Sequence, residues 1–185
     1  TFISENGFKE IRNWNELNQN VSKVIKFLKE ANIKKKDRIV AYMPNTIETV
    51  EAFIASTSLG AIWSSCSPDF GIKGVIERFS QINPKVLFVT NEYFYNGRQI
   101  NILERVSEII KKIPSIKYIV VSNYPGQKKI IKNFKFRRVK VKYWAKLMKS
   151  KPSKIIFSKF DFEHELAILY SSGTTGKPKC ICHRN

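Results

Sequence analysis

Four short apolar runs punctuate the chain before Ser122, and helix-like stretches separate them. The runs are RIVAYM (Arg38–Met43), AIWSS (Ala61–Ser65), KVLFVT (Lys85–Thr90) and KYIVV (Lys117–Val121). Each is too short for a helix and rich in branched or aromatic residues, so each is expected as a strand. Trp14, Leu17, Val21, Val24, Leu28 and Ala31 recur at helical spacing, which predicts an amphipathic helix over Asn13–Ala31. A second helix is expected from Ile47 to Leu59, with Asn45 as its cap, Glu48 completing a box-like pair, and Gly60 as its stop. SPDFG (Ser67–Gly71) reads as a turn, Gly74–Gln81 as a third helix, Asn91–Arg98 as a loop, and Leu103–Ile113 as a fourth helix broken by Pro114. Strand and helix thus alternate at near-regular intervals. That pattern predicts an α/β fold with a largely parallel sheet and crossover helices.

Residues 122–161 interrupt the pattern. They are basic and weakly periodic, and are expected to form a weakly structured connection with a short strand near Val139 and a short helix near Trp144. LAILY (Leu166–Tyr170) then gives a last apolar strand. It runs into SSGTTGKPKCICH (Ser171–His183), where hydroxyls, glycines and lysines crowd together. Glycines let a backbone fold tightly with its N–H groups turned inward, hydroxyls add donors, and lysines add positive charge. Such a loop after a strand suits a phosphate chain. It is not a Walker A loop, because Pro178 stands where that motif needs its second glycine. A Gly-x-Gly-x-x-Gly dinucleotide fingerprint is also absent.

The formal net charge is +18. The cations are scattered, with many between Lys111 and Lys159, so the excess reads as composition rather than a nucleic-acid stripe, and no nucleic-acid partner is expected. No run has the uncharged apolar length of a membrane span, and no membrane partner is expected. Cys66, Cys180 and Cys182 are too few for a disulfide framework and suit a reducing compartment such as the cytosol. Cys180-x-Cys182-His183 carries metal-ligating types without a second pair, so both thiols are expected to pack as small apolar groups on one face of a strand. Trp63 is expected in the core and Asp69 as a turn-former.

YSSGTTGKPK (Tyr170–Lys179) resembles the phosphate-loop signature of the adenylate-forming superfamily, which includes acyl-CoA synthetases, luciferases and peptide-synthetase adenylation domains. Asp37–Gly71 is similar to the amino-terminal subdomain of the acyl-CoA synthetases, and GAIWSSCSPDFG with SSGTTGKPKCICH looks closest to their acetoacetate-activating branch. The likeness is weakest from Pro125 to Lys159. Glu165, where that branch usually has proline, and Arg184, where glycine is usual, depart from its pattern. The resemblance implies that residues 1–185 are an incomplete part of a large amino-terminal AMP-binding domain, with the carboxy-terminal domain absent and the fragment alone inactive. It implies an acid–thiol ligase that joins acetoacetate to coenzyme A with ATP, through an acyl-adenylate. Acetate or another short acid is the alternative substrate, and a non-catalytic nucleotide-binding module the alternative role. Thr174, Thr175 and Gly176 would contact the β- and γ-phosphates, Ser172 and Gly173 would shape the loop, and Lys179 matches the lysine after proline. Arg98 would lie near the phosphates of coenzyme A, and Mg²⁺ would accompany ATP. The resemblance places no catalytic residue and no metal ligand within these residues.

Overall fold

The computed structural model describes residues 1–127, 134–171 and 176–185. The four expected strands are β3 (Arg38–Tyr42), β4 (Ile62–Cys66), β5 (Val86–Thr90) and β8 (Tyr118–Ser122), and they run parallel. They join β9 (Lys140–Tyr143), β10 (Glu165–Ser171) and β11 (Lys179–Arg184) in one sheet of order β11-β10-β4-β3-β5-β8-β9. β10 lies parallel to β4, and β11 returns antiparallel along β10. Glu165 enters the ladder opposite Arg184, with an irregularity before Ala167.

Helices cover both faces of the central strands, because parallel strands need crossovers and their side chains alternate between two apolar layers. Val40, Tyr42, Leu87, Val89, Ile119 and Val121 pack with α3 (Ile72–Phe79) and α4 (Leu103–Lys112). Ile39, Ala41, Val86, Phe88 and Val120 pack with α1 (Trp14–Glu30), α2 (Ile47–Ser58) and α5 (Trp144–Leu147). Trp63 sits in this second layer, edge-on to Phe53 and tilted against Phe88, as expected for a core residue.

α1 starts at a capping box: the Asn13 side chain accepts from Glu16 N at 2.8 Å, and the Glu16 carboxylate accepts from Asn13 N at 3.0 Å. Its buried stripe begins at Val21, so the first turn overhangs the core and Trp14, expected inside, is 86% exposed. The cap of α2 also differs from expectation. Thr46, not Asn45, is the N-cap, because Thr46 N and Thr49 Oγ1 both turn back to the carbonyl of Pro44. Glu48 makes no box there; burial raises its carboxyl above the usual range.

Asn91–Arg98 is not a plain loop. β6 (Glu92–Tyr95) and β7 (Arg98–Asn101) form a hairpin whose turn, Asn96-Gly97, has φ of 49° and 70°. Paired positive φ values define the two-residue turn that Asn-Gly favours, so the signal is present in YNGR. β1 (Phe2–Ile3) and β2 (Lys9–Glu10) make a further small hairpin. Within residues 122–161, β9 extends the sheet beside β8 and α5 packs Trp144 against Phe88. The extended stretch after it is tied to α1 by Ser153 N donating to Ser22 Oγ at 3.1 Å.

Candidate functional site

The chain leaves the carboxyl end of β3 for α2 on one face of the sheet, and the carboxyl end of β4 for α3 on the other. Neighbouring strands that send their connections to opposite faces leave a crevice between them, and open α/β sheets bind ligands there. Here the crevice holds about 340 Å³. Pro44 and Asn45 form one wall, Cys66, Ser67 and Asp69 the second, and Tyr93 to Tyr95 of the β6–β7 hairpin the third.

The Ser67–Gly71 turn is fastened from below. The Tyr42 hydroxyl donates to the Phe70 carbonyl at 2.7 Å, and Arg105 Nη1 donates to the Pro68 carbonyl at 3.2 Å and to the Tyr42 hydroxyl at 3.3 Å. Burial, reinforced by the Asp69 carboxylate, raises the Tyr93 phenol above its ordinary value. Asp69 accepts from Ser67 Oγ at 2.7 Å, which fits a turn-forming role. Burial pushes the Cys66 thiol up to about 12, so it stays protonated near neutral pH and is not poised as a nucleophile.

β10 brings the hydroxyl-rich loop to this same edge of the sheet. It is parallel to β4, so Ser171, its last residue, lies at the carboxyl end. Ser172, Gly173, Thr174 and Thr175 lie outside the described residues. Gly176 has φ of 121°, and apart from its chain neighbours no atom of the described residues lies within 4 Å of where a Cβ would stand. Conformation, not crowding, therefore calls for glycine there. Lys179 is exposed at the start of β11.

Three contacts that the sequence did not signal anchor the strands flanking the loop. Ser64 Oγ donates to the Ile168 carbonyl at 2.7 Å, Tyr170 OH to the Arg78 carbonyl at 3.2 Å, and Gln81 Nε2 to the Pro178 carbonyl at 2.9 Å. The Arg78 guanidinium sits 4.2 Å from the Phe70 ring centroid and 5.8 Å from that of Tyr170. It therefore bridges the turn after β4 and the strand before the loop, and adds a cation between them. Nothing in GVIERFSQIN marks Arg78 or Gln81, because their partners on the strands beside the loop lie about a hundred residues away. Arg98 is exposed on β7, across the ladder from Tyr95 of the crevice wall, on a different element from Gly176 and Lys179.

Cys180 and Cys182 correct an expectation. Both are exposed on β11, as is His183, because β11 is an edge strand that neither apolar layer reaches. Among the described residues no group of three or more His, Cys, Asp or Glu side chains could hold a metal ion. Nor is any described helix long and apolar enough to cross a membrane. His164, by contrast, is buried, stacked on Phe160 and 3.1 Å from the Gly60 carbonyl, which gives it a packing role.

Comparison with known proteins agrees with this arrangement. The model of the AMP-binding enzyme family matches residues 4–185. Acetoacetyl-CoA synthetase of Gallus gallus is 39% identical over 98% of this chain and 28% of its own length. The acetoacetyl-coenzyme A synthetase of Rhizobium meliloti is 39% identical over 92% of this chain and 26% of its own. A malonamoyl-CoA synthetase of Penicillium aethiopicum is 35% identical over 98% of this chain and 25% of its own. The solved structure of acetoacetyl-CoA synthetase from Streptomyces lividans superposes with a TM-score of 0.82 at 30% identity, over 92% of this chain and 25% of that one. The chain thus spans about a quarter of the length of the relatives it matches.

Proposed function

The chain belongs to the AMP-binding enzyme family, and from that premise we propose that it forms part of an ATP-dependent acid–thiol ligase that converts acetoacetate, ATP and coenzyme A to acetoacetyl-CoA, AMP and pyrophosphate. The observation that carries the reading is the crevice between the carboxyl ends of β3 and β4, with the strand that leads into the hydroxyl-rich loop beside it. The acetoacetyl-CoA synthetases among its relatives support the choice of acid.

In this reaction the substrate carboxylate is itself the nucleophile. It attacks the α-phosphate of ATP and expels pyrophosphate, and the thiol of coenzyme A then displaces AMP. No protein nucleophile is needed, which suits a site whose buried thiol, Cys66, stays protonated. The chain's own task is to position and neutralise phosphates. Thr174, Thr175 and Gly176 hold the β- and γ-phosphates, Ser172 and Gly173 shape the loop, and Lys179 adds charge at its exit. The Gln81 and Tyr170 contacts keep the loop's flanking strands against α3 while the phosphates are held. Arg98 receives a phosphate of coenzyme A on the hairpin. Mg²⁺ accompanies the ATP phosphates; the described residues supply no carboxylate set for it. Groups for adenine, ribose and the second half-reaction belong to a carboxy-terminal domain and to the remainder of the longer polypeptide, whose site of action is the cytosol.

The test is acid-dependent exchange of labelled pyrophosphate into ATP by the full-length polypeptide. Exchange with acetoacetate well above that with acetate is expected. Preference for acetate would reassign the acid while keeping the ligase, and no exchange with either acid would sink the proposal.

A further inference from the structure

A second concave site lies at the opposite edge of the sheet. Strands β5, β8 and β9 begin beside one another; Lys85 and Lys117 directly precede the first two, and Lys140 opens the third. Lys117 N donates to the Lys85 carbonyl at 2.8 Å, and Lys140 N donates to the Lys117 carbonyl at 2.9 Å. Lys85, Lys117 and Lys140 therefore lie close together at the amino ends of adjacent strands, with Lys140 in register with Tyr118. With Arg138 they rim a pocket of about 370 Å³ whose apolar floor includes Ile33 and the ring of Tyr118. Lys140 Nζ stands 5.7 Å from the Tyr118 ring centroid. Asp37, held also by Lys34 N, pairs with Lys85 at 2.8 Å, and Lys85 is the one rim cation with an acidic partner among the described residues.

Like charges gathered around one pocket repel one another. A bound polyanion removes that repulsion, and the volume falls in the range of small-molecule sites. The reaction above uses the carboxyl edge, so it gives these cations no role. We propose that this pocket binds a small ligand bearing two or more linked phosphates, its charge on the lysine row and any apolar part on the Tyr118 floor. Confinement of these cations to the rim of one pocket of this size favours a small ligand over nucleic acid.

The probe is inorganic tripolyphosphate, titrated calorimetrically into the full-length polypeptide carrying Thr174→Val and Thr175→Val, so that the phosphate loop does not compete. One saturable site is expected. Adding Lys117→Glu and Arg138→Glu, both exposed positions, should weaken it about tenfold or more. Lys117→Arg should bind like the parent. Lys73→Glu with Lys159→Glu, an equal change of charge elsewhere, should also leave binding intact. Equal losses in both charge-reversed pairs, no loss in either, or tighter binding of a single-stranded RNA oligonucleotide than of tripolyphosphate would each overturn the proposal. Acid-dependent pyrophosphate exchange, measured with the parent loop and both rim substitutions, should be unchanged, so failure of this site is separable from failure of the ligase reading.

Discussion

β5 and β11 belong to one sheet, yet every residue of β5 is buried and every residue of β11 is exposed. β5 lies between two strands, with α3 and α4 on one face and α1, α2 and α5 on the other. β11 is paired on one side to β10, its amino end follows the loop, and neither apolar layer includes its residues. One part of the molecule is built to hold shape and the other to present groups. β5 is paired parallel on both sides and β11 antiparallel on one, so place in the sheet sets burial, and burial separates scaffold from site.

The largest expected effect lies on the scaffold side. Phe88→Ala on β5 removes a fully buried ring between Trp63 and Trp144 and should cost about 3–5 kcal/mol in urea unfolding. Ile181→Ala on β11 should stay within about 0.5 kcal/mol. Equal losses would break the distinction between the two strands. On the presenting side the change is in rate. Thr174→Val with Thr175→Val should lower acid-dependent pyrophosphate exchange about a hundredfold or more, with little change in Tm. A fall in Tm of several degrees with exchange intact would make the loop scaffold instead.

A third prediction concerns a carboxylate on the scaffold. Glu51 is fully buried on α2, and burial pushes it up to about 7 although Arg12 and Asn20 bond one of its oxygens at 3.0 and 2.9 Å. A carboxyl whose folded value exceeds its unfolded one favours folding below the unfolded value and loses that contribution as pH rises. Stability attributable to Glu51 should therefore fall between about pH 4.5 and about 7. Denaturant midpoints across that window should decline less steeply in Glu51→Gln than in the parent. An identical slope would remove Glu51 from the account. A further, modest effect sharpens the scaffold locally. Asn13→Ala breaks the α1 capping box and should cost about 1 kcal/mol in the same assay.

How much of this was legible in the sequence follows the range of the interaction. β3, β4, β5 and β8 were visible because an apolar run of a few residues is a local signal. The Asn96-Gly97 turn was equally local, and the hairpin it makes could have been read from YNGR. Trp14 misled because helical spacing says which face a residue occupies, not how far along the helix the core extends. Cys180 and Cys182 misled for a related reason. Their alternation puts them on one face of a strand, but whether anything covers that face depends on sheet order.

The sequence by itself determined the alternating elements and the hydroxyl-rich loop, because both depend on neighbours a few positions away. Only the tertiary structure decided that β10 lies beside β4, that Arg78 and Gln81 steady the strands around the loop, and that three lysines meet at the opposite edge. Those pairings join residues far apart in the chain. The order of strands that creates them is set by which packing buries the two apolar layers together, a property of the assembled sheet rather than of any stretch within it.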